Sequence, residues 1–206
     1  MNGEPWARPG VPLILSEMIV NRPTPTTATD IISLADMKEF LRVDHDDEDT
    51  TIAALMDAAV LFCGDRTNRH FTANTEAIFY LNNWRAAALA FGPVGNVQNV
   101  KYYDVNGTLQ TLDTSLWYVE KRPDGVWRIF FHNVPDVEDY NAQPIEITCR
   151  VGATASPNIK HAIRMIVAHW YENRRAVVVG AGVGAANIPM AVDSLLNPER
   201  IETSWQ

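Results

Sequence analysis

Gly180, Gly182 and Ala185 stand in a G-x-G-x-x-A register within RAVVVGAGVGAANIP, the spacing with which a dinucleotide enzyme cradles a pyrophosphate. That chemistry needs a strand before the glycines and a helix after them, so that backbone N–H groups and a helix N-terminus face the phosphates within a unit of about 30 residues. Here a helix-patterned segment precedes the glycines, and residues 185 to 206 are too few for the strand, the ribose-binding acid and the second half of such a domain. The segment Gly180 to Gly184 therefore reads as a mobile surface loop joining two helices, with three glycines leaving its backbone unconstrained. A small cofactor-binding enzyme built on Gly180 to Ala185 is the alternative.

DHDDED, Asp44 to Asp49, has the carboxylate density of a calcium loop, but such a loop requires glycine at its sixth position and Asp49 stands there. Acids in the first turn of a helix, favoured by free N–H groups and the dipole, explain the run without a metal. His161 and His169 are eight residues apart, which does not fit the i, i+4 pair of a zinc helix. His169 and Glu172 share a face, yet a di-iron bundle needs carboxylates from several helices and no second E-x-x-H is present. There is no G-x-S-x-G, and neither Cys63 nor Cys149 has a histidine nearby in sequence. No catalytic residue, cofactor or metal is expected, and the chain is read as a non-enzyme.

The 206 residues are 47% hydrophobic and 20% charged, enough for one compact unit with a real core. Two cysteines far apart in apolar segments fit reduced, buried thiols and synthesis in the cytoplasm. No apolar run approaches the roughly 20 residues of a membrane span, and prolines stand where a signal peptide needs its apolar stretch. A net charge of −8 argues against gripping nucleic acid, because such affinity comes from Lys and Arg displacing phosphate counterions.

The elements that would position any site follow from periodicity. Residues 1–30 carry Pro5, Pro9, Pro12, Pro23 and Pro25 and read as an extended arm. Ser33 opens a capping-box-like start with Asp36, predicting a helix over about 33–42. Ile52, Leu55, Ala59 and Phe62 form an apolar stripe on a longer helix, about 47–67. From about 76 to 151 the pattern turns to short β runs: Asn106-Gly107 and Pro123-Asp124-Gly125 mark hairpins, and PIEITCRVG closes a small antiparallel sheet. Ser156-Pro157 begins a helix whose Ile159, Ile163, Ile166 and Trp170 share a face expected to pack on the Ile52 stripe, and Arg174 and Arg175 end it. A last short helix runs from Pro189 until Pro198 stops it, leaving a tail over 198–206. The fold class is α+β, a helical bundle with an antiparallel β insertion in one domain, 31–206, and no internal repeat is present. Tyr102, Tyr103, Trp117, Tyr118, Trp127, Phe130 and Phe131 supply sheet core, or alternatively a stacking surface for nucleic acid or glycan.

Three stretches, SLADMKEFLRVDHDDEDTTIAALMDAAVLFCGDRTNRHF, FGPVGNVQNVKYYDVNGTLQTLDTSLWYV, and SPNIKHAIRMIVAHWYENRRAVV followed by IPMAVDSLLNPER, resemble, in this order, the head–tail connector or adaptor proteins of long-tailed bacteriophages and gene transfer agents. The resemblance covers about residues 31–201 and leaves out the arm. It implies a structural virion protein without an active site, in a ring of usually twelve subunits between the portal protein and a tail-side stopper or tail-completion protein. DNA would pass through the ring, for which an acidic channel wall suits better than a basic one. The resemblance also implies that the C-terminal part reaches toward the portal. Residues 198–206 are thus expected to be loose in the free subunit, with Ile201 and Trp205 as the portal contacts.

Overall fold

The computed structural model describes residues 18–24, 26–121, 126–137, 141–173 and 190–201. In chain order they form strand β1 (Met18–Asn21), a 3-10 turn (Ala28–Asp30), helices α1 (Leu34–Leu41) and α2 (Asp49–Thr67), and strands β2 (Thr75–Leu81), β3 (Ala87–Leu89), β4 (Val94–Tyr103), β5 (Leu109–Thr111), β6 (Trp117–Lys121), β7 (Trp127–Phe131) and β8 (Ile145–Val151). Helices α3 (Pro157–Glu172) and α4 (Met190–Leu196) and a 3-10 turn (Asn197–Glu199) follow. The protein is α+β: a small helical bundle carries an antiparallel β insertion between α2 and α3. The Gly180–Ala185 register, the Pro123–Gly125 turn, Arg174, Arg175, Pro189 and Trp205 lie outside the described residues. Among the described residues no helix is long and apolar enough to cross a membrane.

Local chemistry explains the helix boundaries. Ser33 caps α1 by accepting from the Asp36 N–H at 3.1 Å, and Arg42 ends it in the left-handed region. Ser156 caps α3 by accepting from the Ile159 N–H at 3.3 Å, with Pro157 in the first position where no hydrogen bond is lost. Alpha2 departs from expectation: its N-cap, Glu48, makes no side-chain cap hydrogen bond. The acids are used sideways instead, since Lys38 Nζ lies 2.5 Å from Asp46 and 2.7 Å from Asp49, tying α1 to the start of α2.

The bundle core is the expected one, with a shifted centre. Ile159, Ile163 and Ile166 of α3 share a buried cluster with Ile52 and Ala59 of α2. The deepest α2 positions also include Met56, Val60 and Cys63, while Leu55 is only partly buried. Phe62 and Trp170 meet edge to face at 6.4 Å on the rim. Val192 and Leu196 of α4 close the cluster.

The β insertion makes two sheets where one small sheet was expected. The larger has order β1-β2-β8-β4-β5 and the smaller β3-β7-β6, with neighbouring strands antiparallel. PIEITCRVG does not close a sheet; as β8 it is the central strand of the larger one, paired on both sides. Its alternate residues Ile145, Ile147, Cys149 and Val151 are buried in the core between the sheets, while the residues between them are half-buried. The Asn106-Gly107 hairpin forms as predicted: Gly107 has φ +73, and the Asp104 carboxylate accepts from the N–H groups of Asn106 (2.9 Å) and Thr108 (3.0 Å).

Part of the arm is not free. The prolines leave residues 13–22 uninterrupted, and β1 pairs with β2 at the sheet edge, Met18 opposite Leu81 through Asn21 opposite Ile78. Proline excludes a chain from a sheet interior only where it stands. Ala28 is then buried in the bundle core, its N–H given to Asp57 at 3.0 Å.

Candidate functional site

The turn RTNRH, Arg66 to His70, is where the bundle, the sheets and the C-terminal segment meet. Alpha2 ends because Asn68 adopts the left-handed conformation (φ +55), a region that Asn tolerates better than most residues. That turn presents polar groups on three sides. Asn68 accepts from the Gly92 N–H (3.0 Å), and the His70 N–H donates to the Gly92 carbonyl (2.7 Å). The Ala153 N–H donates to the His70 carbonyl at 3.1 Å, holding the link from β8 to α3. Burial pushes the pKa of the His70 imidazole below its ordinary 6.5, so the ring sits neutral in this junction.

The third side is a clamp on the C-terminal segment. The Arg69 guanidinium donates to the Glu199 carbonyl and lies 3.6 Å from its carboxylate, which also accepts from Ser156 Oγ at 2.6 Å. The Ile201 N–H donates to the Thr67 carbonyl (2.9 Å), and Asn68 Nδ2 donates to the Ile201 carbonyl (3.0 Å). Arg66 pairs with Asp193 of α4 at 3.0 Å.

Ile201 is therefore 2% exposed, packed with Ala90 and Val126 against the smaller sheet. This corrects the expectation of a loose tail for residues 198–201. Pro198 does not release the chain but sits in the 3-10 turn that delivers Glu199 to Arg69. The partners are far apart in sequence, as with Arg69 and Glu199 at a separation of 130, so no spacing rule finds them. What sequence did offer was GDRTNRHF and LLNPER as recognisable stretches without an assigned role.

Most of the insertion's aromatics are core. Tyr102, Trp117, Trp127 and Phe131 pack against the inter-sheet cluster, and Trp84 bridges Tyr102 (5.5 Å) and Phe131 (5.1 Å) while donating to the Pro135 carbonyl. Tyr103, Phe130 and Tyr118 lie outside that cluster: half-exposed Tyr118 stacks on half-buried Phe130 at 5.0 Å and 11°, beside His132.

The other chemical candidates do not converge. His161 lies edge-on to Phe40, and His169 is beside Asn173. Among the described residues no group of three or more His, Cys, Asp or Glu could hold a metal ion. The cleft lined by Arg22, Pro23, Leu61, Asp65, His70 and Phe91 holds about 90 Å³, far below the roughly 300 Å³ where small-molecule pockets begin.

Two predictions arise here. Burial pushes the Cys63 and Cys149 thiols up to about 12, so neither forms thiolate at neutral pH. An aromatic disulfide reagent should label neither in the native protein and both after unfolding. Rapid native labelling of Cys63 would show that the bundle core opens, and of Cys149 that the core between the sheets opens.

The second concerns Asp46. The hydrogen bond from Lys38, and then its charge, hold the Asp46 carboxyl below its ordinary 3.8, and the same contact raises Lys38. A depressed carboxyl contributes stability that is present above its unfolded value and lost as pH falls through the folded one. NMR titration of the Asp46 carboxyl carbon should thus give a midpoint below 3.8, which Lys38→Met moves back up. An unchanged midpoint would mean that the ion pair does not form in solution.

Comparison with known families gives the decisive observation: the family model described as head completion protein matches residues 30–201. The chain belongs to the head completion protein family. No curated protein matches it. Among solved structures, it is similar to a chain in the neck of an empty GTA particle computed with C6 symmetry (TM-score 0.68, 20% identity, 91% of this chain and 97% of that one). A chain of the virion of a native gene transfer agent (GTA) particle gives 0.67 at 18% identity, and one in the neck of a native GTA particle computed with C12 symmetry gives 0.64 at 18%. Both comparisons cover the same 91% and 97%. As a head completion protein the chain is a structural head–tail connector component of a phage-type virion, located at the head–tail interface. The family match begins at residue 30 and ends at Ile201, the residue at which the clamp ends.

Proposed function

We propose that the protein is the head–tail adaptor that forms a ring, with twelve subunits as the expected number, beneath the portal vertex and joins the DNA-filled head to the tail. DNA passes through the centre of the ring without specific binding, and a tail-side stopper or tail-completion protein binds the opposite face. The observation that carries this reading is the family match over residues 30–201, and the fold shared with chains from particle necks supports it. The net charge of −8 suits a channel wall past which phosphates must slide.

The portal contact is assigned to the C-terminal end. Ile201, buried and held by Asn68 and Thr67, is the fixed base of the contact rather than its tip. Trp205 is the side chain that engages the portal, since buried aromatic anchors commonly carry such interfaces.

Two experiments test this. Without the gene, particles should accumulate as heads that package DNA but carry no tails, and tailed, infectious particles in normal number would overturn the adaptor reading. A chain ending at Ile201 keeps the whole clamp, so it should melt like the parent yet attach poorly to portal-bearing heads. Removing one hot-spot aromatic costs about 2 kcal/mol or more, a thirtyfold loss of affinity or greater. Attachment equal to the full chain would remove Trp205 from the interface while leaving the adaptor role standing.

A further inference from the structure

The outer face of the smaller sheet, turned away from the inter-sheet core, can be read from its registers. Trp127, Ile129 and Phe131 of β7 belong to that core, so the alternate residues Val126, Arg128 and Phe130 stand on the outer face. Ala88 of β3 pairs with Arg128, and Tyr118 of β6 pairs with Phe130, which adds both to this face. At one end of it Ile201 is buried with Val126 and Ala90, and Ala88 packs on them. At the other end Tyr118 is 50% exposed and lies flat on Phe130, the rings 5.0 Å apart. One face thus holds both the end of the clamp and an open aromatic shelf.

The distance between the two is short. From Ala88 to Phe130 is one strand across and two residues along, roughly 8 Å, and Tyr118 is one strand further, roughly 12 Å. Beyond Ile201 the sequence runs Glu202, Thr203, Ser204, Trp205 and Gln206. Four residues of extended chain reach about 13 to 14 Å, enough to carry Trp205 from Ile201 to the shelf. The backbone is already extended at Arg200, with φ −71 and ψ 130. In an extended continuation side chains alternate, so the buried side of Ile201 is also the side of Thr203 and Trp205, while Glu202 and Ser204 turn to solvent.

We propose that in the free subunit residues 202–206 fold back across the outer face of the smaller sheet and lay the Trp205 indole on Tyr118 and Phe130, an autoinhibitory contact that any partner of Trp205 must displace. The chain's own C-terminal segment is the occupant because it starts on this face, presents Trp205 to it by alternation and has the length to reach the shelf. An indole packs offset or edge-on against such a ring, at about 4.5–7 Å between centroids, and can keep its N–H at the rim in water. One ring contact at a half-exposed site is weak, so it releases readily and leaves the melting transition nearly unchanged. The fold-back itself needs no portal. Its inhibitory role rests on the reading that the portal takes Trp205, in which case shelf and portal compete for one indole.

NMR of the full chain tests the fold-back. The Trp205 indole N–H, identified by its loss in Trp205→Phe, should show cross-relaxation to the Tyr118 and Phe130 ring protons and a ring-current shift away from its value in an isolated peptide of residues 202–206. Tyr118→Ser should return it to the peptide value with the Ile201 amide unmoved, and Tyr118→Phe should keep it in place. A parental resonance at the peptide value, or ring contacts found only between differently labelled copies in a mixed sample, overturns the proposal and leaves the portal assignment standing. Attachment to portal-bearing heads reads the competition. A shelf occupied roughly nine-tenths of the time weakens a competing partner about tenfold, so Tyr118→Ser should attach that much more tightly than the parent. A shelf contact seen by NMR with no gain in attachment overturns the inhibition and removes Trp205 from the portal interface, while the fold-back stands.

Discussion

Gly152→Ala is expected to destabilise the subunit by about 3 to 5 kcal/mol, combining a strained left-handed backbone with overpacking. Gly152 follows the central strand β8 at φ +96, a conformation that L side chains rarely adopt. A Cβ there would collide with the Thr72 carbonyl oxygen, come within 2.9 Å of its carbon and reach 3.2 Å from His70 Cδ2. Neither side can yield cheaply. The Gly152 N–H is held by the Pro93 carbonyl (2.8 Å), the next N–H by the His70 carbonyl (3.1 Å), and the obstructing atoms at Thr72 are backbone. Gly95→Ala is the control, since a Cβ there would touch only the Arg150 carbonyl at 3.4 Å, and its cost should stay under about 1 kcal/mol. Urea denaturation of the three chains settles the matter: a Gly152→Ala midpoint close to the parent's would mean that the junction repacks freely.

Ile163→Ala should cost about 2 to 5 kcal/mol, the transfer term of the lost atoms plus the cavity they leave. Ile163 is 0% exposed in the middle of the α3 face, and its cluster includes Ile52, Met56 and Ala59 of α2 together with Val192 and Leu196 of α4. The site cannot collapse by moving one helix without opening the seam to another. Trp170 shares the face but sits half-buried on the rim against Phe62, so Trp170→Ala, despite deleting more atoms, should cost less than Ile163→Ala. Ile163→Val, keeping most of the volume, should cost about 0.5 to 1.5 kcal/mol. The inverse order of Ile163→Ala and Trp170→Ala in urea midpoints, at equal denaturant slopes, would show that the rim and not the centre holds the bundle.

The helices and strands were legible because each depends on neighbours in sequence. Ser33 and Ser156 announce caps through residues three positions on, Asn106-Gly107 announces a hairpin through its own backbone preferences, and the Ile159, Ile163 and Ile166 spacing determines which side of α3 is buried. The sequence also determined the family, since its motifs in their order span the same stretch that the head completion model matches.

Tertiary structure alone decided the rest. Which strand is central cannot be read from PIEITCRVG, because an alternating apolar pattern looks the same on a middle strand as on an edge strand packed on one side. Beta1 was hidden for the opposite reason: its four residues carry little pattern of their own and become a strand only where β2 offers an open edge. The clamp is the clearest case. Arg69, Glu199, Asn68, Ile201 and Ser156 are ordinary residues in ordinary local settings, and Ile201 in a polar tail reads as exposed. Hydrogen bonds between groups 130 or more positions apart depend on where the fold returns the chain, so Ile201 is buried only because α4 and its 3-10 turn bring residues 199–201 back to the end of α2.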